Sequence, residues 1–165
     1  MTRPSAAVTG GLVLLLSAAC GLAPAAGTVT LGGDSGEACV PTRNGQSMLV
    51  GEVMGVETAQ VRVSTIELSD AAGVRVVDSY VLPVDGDAIG SSEFPPDDTP
   101  SWQRRRPAAG AQLDPGKSYN VVVRVERTEH ASDGSASALK VDYISGDSLR
   151  AAKGTTRYTF ARKCV

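Results

Sequence analysis

At 165 residues the chain holds one ordinary domain, and its net charge of −2 provides no excess of Lys and Arg with which to neutralise phosphates. Aromatic residues make up 4%, too few for a base-stacking platform. No nucleic-acid partner is therefore expected.

The chain opens with one basic residue, Arg3. An uncharged stretch from Pro4 follows, with the apolar core Leu12-Val13-Leu14-Leu15-Leu16, and then the small residues Ser17, Ala18 and Ala19. A charged start, a short apolar middle and small residues at the cut make the layout of a secretory signal. The apolar run falls short of the roughly 20 residues that a spanning helix needs. Residues 1–19 are thus expected to be a signal peptide. Their removal takes away only Arg3 and leaves 15 basic against 18 acidic residues.

The segment Leu16-Ser17-Ala18-Ala19-Cys20 resembles the lipobox of bacterial lipoproteins, in which small residues precede an acylated cysteine. Ser17 stands where that family usually has leucine. The resemblance implies cleavage before Cys20, a lipid on Cys20, and a membrane partner reached through that lipid on the extracytoplasmic face of the cell. A competing cut lies after Ala23-Pro24-Ala25, an A-x-A site that would release a free secreted protein. Lipidation also resolves an odd count of three cysteines. In an exported protein the remaining two, Cys39 and Cys164, are expected to form a disulfide, the alternative being two separate thiols.

From Gly21 to Ala38 the residues are small or polar, with five glycines, and residues 20–38 read as a flexible, disordered tether with an end-to-end distance of roughly 25 Å. The domain then runs over residues 39–165. Within it the apolar period is two. Positions 48–56 form a first strand weakened by Gly51 and Gly55. From Gln60 to Leu68 the inward set changes phase from Val61 and Val63 to Ile66 and Leu68, which predicts a bulge near Ser64 or Thr65. Asp70-Ala71-Ala72-Gly73 supplies a turn. The next strand places Val74, Val76, Tyr80, Leu82 and Val84 on one face, with Asp78 as an intruder.

Residues 85–112 break the pattern. They contain Pro95-Pro96-Asp97-Asp98, Pro100, Trp102 and Arg104-Arg105-Arg106-Pro107, and read as an irregular loop with one short strand around Ala88–Phe94. A loop of this length inside a domain is functional or mobile. Tyr119, Val121, Val123 and Val125 then alternate with Asn120, Val122, Arg124 and Glu126. Two more strands follow, over residues 138–145 with Leu139, Val141 and Tyr143 inward, and over 155–162 with Tyr158 and Phe160 inward.

Leu113-Asp114-Pro115-Gly116-Lys117-Ser118-Tyr119 resembles the L-x-P-G-x-x-Y corner of fibronectin type III and related immunoglobulin-like sandwiches. Pro115 presets a turn, Gly116 tolerates positive φ, and the Tyr119 hydroxyl can return to the backbone upstream. The fold expected is therefore all-β, an immunoglobulin-like or fibronectin III-like antiparallel β-sandwich.

Chemistry is sparse. His130 is the sole histidine. Its neighbours Ser132 and Asp133 sit too close along one turn to assemble a triad, so a solvated loop is expected. Asp85-Gly86-Asp87 and Asp97-Asp98 lack the spacing of a calcium loop and read as turn chemistry. Arg104, Arg105 and Arg106 beside Trp102 form the most distinctive surface feature. They could dock on anionic headgroups or wall polymers with Trp102 as interfacial anchor, or else pair with Glu93, Asp97 and Asp98. No catalytic, cofactor or metal residues are assigned and no cofactor is expected. The reading is a non-catalytic interaction module of the cell envelope, facing an envelope protein or a polysaccharide. The alternatives are a soluble secreted hydrolase or inhibitor acting through loop 85–112, and a purely structural envelope spacer.

Overall fold

Period-two alternation requires sheets with one face covered, and the chain supplies two layers to cover each other. The computed structural model describes residues 26–33, 35–43, 45–86, 88–129 and 131–164. Cys20 and both candidate cleavage sites lie outside these residues. The strands are β1 (Val29–Leu31), β2 (Gly36–Pro41), β3 (Met48–Val56), β4 (Val61–Ser69), β5 (Val74–Pro83) and β6 (Ser91–Glu93). A short helix α1 (Pro100–Gln103) precedes β7 (Arg106–Pro107), β8 (Gln112–Leu113), β9 (Lys117–Arg127), β10 (Gly134–Ala136), β11 (Ala138–Ser145), β12 (Ser148–Lys153) and β13 (Thr156–Ala161).

One sheet has the order β1-β3-β9-β5-β7, with β6 also paired to β3. Because β9 runs along the whole of β3, β1 and β6 share the other edge of β3, at Met54–Val56 and Met48–Val50 respectively. A second sheet, β12-β11-β4-β8, and a third, β10-β13-β2, complete the sandwich. The core lies between them. Val50 and Met54 of β3, Val121 and Val123 of β9, Val61 and Val63 of β4, Leu139 and Val141 of β11 and Phe160 of β13 are all buried there. Each such side chain contributes about 1.5–3 kcal/mol, whereas an exposed ion pair such as Arg75–Glu126 contributes at most about 1 kcal/mol. Packing, not surface charge, holds the layers together.

The all-β sandwich is the fold expected from the alternation. The corner before β9 also forms as expected: Gly116 has φ +72°, and the Tyr119 hydroxyl accepts a hydrogen bond from the Asp114 N–H at 3.0 Å. In β4, Val63 faces Tyr143 while Thr65 faces Asp142, so Ser64 is the extra residue of the predicted bulge.

Three expectations are corrected. The tether does not extend to residue 38: Val29 and Leu31 hydrogen-bond onto β3 as β1, and β2 runs parallel to β13 from Gly36. The small residues here lie on sheet edges, where pairing demands little side-chain volume. Strand β5 does not keep one face. Val76 pairs with Val125 and Asp78 with Arg124, which leaves Val77 as a bulge. Beyond it Val81 enters the main core, and Tyr80 and Leu82 turn to the opposite face. Finally, the irregular segment over residues 85–112 holds β6 where one short strand is expected but also α1, β7 and the start of β8, and its described residues are fixed against the sheets.

Candidate functional site

The outer face of the first sheet carries Leu49, Leu82 and Val122, which need a cover as much as the inner face does. The segment after β5 provides it by crossing the sheet twice. On the outward pass the Ile89 N–H donates to the buried Asn120 side chain at 3.0 Å, and β6 pairs with the edge of β3. Gly51 is needed here, because a Cβ would lie 2.7 Å from the Ile89 carbonyl oxygen. On the return pass α1 drops Trp102 onto the apolar patch. Thr99 caps that helix by accepting from the Trp102 N–H at 3.2 Å, and Pro100 occupies its first turn, where no N–H is required. β7 then pairs with β5, and β8 pairs with β4 of the second sheet. The strap thereby closes one side of the sandwich.

Trp102 is 5% exposed. Its ring meets the edges of Tyr80 and Phe94, with centroids 5.4 and 6.2 Å away, and the Arg105 guanidinium lies 4.6 Å from its centroid. An indole covered in this way does not reach a headgroup layer, so the expected anchor is a core residue of the strap. The three arginines are exposed, yet each makes an internal contact. Arg104 pairs with Asp85 and donates to the Pro100 carbonyl, Arg105 donates to the Trp102 carbonyl at 3.0 Å, and Arg106 donates to the Gln112 carbonyl at 2.7 Å. Their partners are not the expected Glu93, Asp97 and Asp98; Asp98 accepts from the Gln103 side chain instead.

The expected bridge is present: Cys39 of β2 is bonded to Cys164, with Cα atoms 5.7 Å apart. His130 and Asp87 lie outside the described residues. The Ser132 carbonyl accepts from Arg127. Among the described residues no three His, Cys, Asp or Glu side chains converge as a metal site, and no helix is long and apolar enough to cross a membrane.

A buried carboxyl group was not anticipated. Glu52 is 7% exposed on the inward face of β3, where its Oε1 accepts from the Tyr158 hydroxyl at 2.6 Å and its Oε2 is buried without a partner. Gly154 and Gly32 lie against this carboxyl group, and a Cβ at residue 154 would collide with it. The Thr155 hydroxyl donates to the Gly33 carbonyl at 3.0 Å, joining the two connections beside it. A signal was available, since Glu52 shares the parity of Met48, Val50, Met54 and Val56. Burial raises the Glu52 pKa above its ordinary value, against the lowering effect of the Tyr158 hydrogen bond and the neighbouring Thr156 side chain; burial first, and then the bond to Glu52, raise that of Tyr158. The native state therefore holds a proton on Glu52 at pH values where the unfolded chain has lost it, and stability falls as pH rises from the ordinary carboxylate range through the native value. Urea melts at several pH values are expected to show Glu52→Gln gaining about 1–3 kcal/mol on the wild type at pH 8 and losing that advantage near pH 4, the difference being the cost of a buried charged oxygen. Parallel stability curves for the two proteins would contradict this.

No family model matches the chain, and no curated protein does. Among solved structures the chain is similar to part of a family 123 glycoside hydrolase from Clostridium perfringens, with TM-score 0.46 and 7% identity. The match covers 84% of this chain and 27% of that one, so the chain spans about a quarter of the hydrolase.

Proposed function

We propose that this chain is a lipid-anchored, non-catalytic binding module on the extracytoplasmic face of a cell envelope. The observation that carries the reading is the pairing of Cys39 with Cys164. Of three cysteines it leaves Cys20, which stands at the end of the lipobox-like Leu16–Cys20 segment, as the thiol available for acylation. Export is consistent with a disulfide between residues distant in sequence. Five residues, Gly21 to Ala25, separate Cys20 from Ala26, whose carbonyl accepts from the Thr58 hydroxyl of the domain. Even fully extended, that connection reaches about 20 Å, which would hold the sandwich close to the headgroups.

Mass spectrometry of the mature N-terminus is expected to find a chain starting at Cys20 and carrying a diacylglyceryl group, and Cys20→Ala is expected to leave the membrane fraction. An unmodified chain starting at Ala26 would make this a free secreted protein. Mild crosslinking on intact cells is expected to capture a discrete partner, whereas capture of none favours the role of envelope spacer.

A further inference from the structure

The strand registers place the two ends of the sandwich. Ala26 and Thr28 are bonded to Thr58 and Glu57, beyond the Val56 end of β3, so the N-terminal segment joins the domain there. At the other end, about 30 Å away for a nine-residue strand, the turn before Met48, the start of β5, the end of β9 and the residues after β13 come together. They enclose a groove of about 570 Å³, a volume within the range of small-ligand sites.

Arg75, Arg127 and Arg162 line this groove against two carboxylates, Glu126 and Glu129. Glu126 is already engaged: it accepts from Arg75 at 2.8 Å and from the Ser47 hydroxyl at 2.9 Å, and these bonds hold its pKa below the ordinary value. Arg127 is fixed instead by neutral groups. Its guanidinium donates to the carbonyls of Thr42, Ala131 and Ser132, and among the described residues its buried Nε has no partner. Among the described residues neither Arg127 nor Arg162 has a carboxylate within ion-pair distance. A chain with an acidic net charge thus gathers three guanidinium groups against two carboxylates in a concave site, and among the described residues two of the three have no ion-pair partner.

We infer that this groove binds a ligand bearing an oxyanion, a carboxylate or a phosphate, on a body of mono- to disaccharide size. Guanidinium forks suit both groups because each offers paired oxygens. The site does not depend on the lipid anchor. With the anchor in place, the groove faces away from the bilayer, toward envelope components and not toward the headgroups of the same membrane.

The test is an amide-shift NMR titration of the purified protein with inorganic phosphate, with glucuronate and with uncharged glucose, at constant ionic strength. At least one anion is expected to give saturable shifts centred on Gly45, Thr128, Glu129, Ala131, Ser132 and Arg162, while glucose gives none. Arg162 is exposed, so Arg162→Glu is expected to fold normally and weaken the anion at least tenfold, and Arg162→Lys to weaken it less. Saturation by phosphate alone assigns a phosphoryl ligand, by glucuronate alone a uronate-type ligand, and by both a general oxyanion site. The inference is overturned by the absence of saturable shifts with either anion, by equal shifts with glucose, or by unchanged affinity in a folded Arg162→Glu protein.

Discussion

Replacing Cys39 and Cys164 together by serine is expected to remove more stability than any surface change in this protein. The bridge spans a sequence separation of 125 residues, and restricting so long a loop in the unfolded chain is worth about 5 kcal/mol at the upper end, with 2–5 kcal/mol the usual range on removal. The local context adds to the effect. Cys39 lies on β2, which among the described strands pairs with β13 alone, in a six-residue parallel ladder. Without the bridge, hydrogen exchange in β2 is expected to accelerate before that in β3 or β9. Thermal unfolding is expected to shift down by about 10 °C, from a loss of some 3 kcal/mol in a domain of this size. A double variant within 1 kcal/mol of the wild type in urea would show that the cross-link contributes little.

Trp102→Ala is the second large effect. The side chain is buried against Leu49, Leu82 and Val122, and removing a buried indole typically costs about 3–5 kcal/mol. Besides the β6 and β7 pairings, Trp102 is the buried side chain by which the strap joins the outer-face cluster. Its loss is therefore expected to free residues 85–111 before the sandwich melts. Trypsin reports this directly: the wild type is expected to resist cleavage after Arg104 and Arg105, while Trp102→Ala is nicked there within minutes. Trp102→Phe should restore most of the resistance. Because Trp102 is the sole tryptophan, its emission in the wild type is expected to be that of a buried indole and to shift red as the strap opens. Equal cleavage of wild type and Trp102→Ala would mean that the ring does not secure the segment.

These two features illustrate how legible the molecule was. The cysteine pair was expected once the lipobox-like segment set Cys20 aside and an exported chain favoured a disulfide between the other two. Trp102 and its arginines were conspicuous in sequence, yet their surroundings were not, since Leu49, Leu82 and Val122 come from three different strands. A hint existed in Val121-Val122-Val123, where an uninterrupted apolar run means that both faces of a strand are covered. Strand β5 concealed its partner surface, because the Val77 bulge reverses the face of every residue after it. Strand β12 had no period to detect. It is an edge strand, and five of its six residues are exposed.

Local chemistry in the sequence determined the strands whose inner residues alternate, the Ser64 bulge, the corner at Tyr119 and the all-β class, because each depends on neighbours along the chain. It also singled out the lipobox-like segment, which is a linear signal. The tertiary structure alone decided that residues 85–112 form a strap, that β1 and β2 belong to the sheets, that Glu52 is sealed beside Gly154, and that Arg75, Arg127 and Arg162 meet in one groove. Those outcomes depend on which strand edges and faces lie opposite one another. Long-range packing sets that, and period-two patterning carries no record of it.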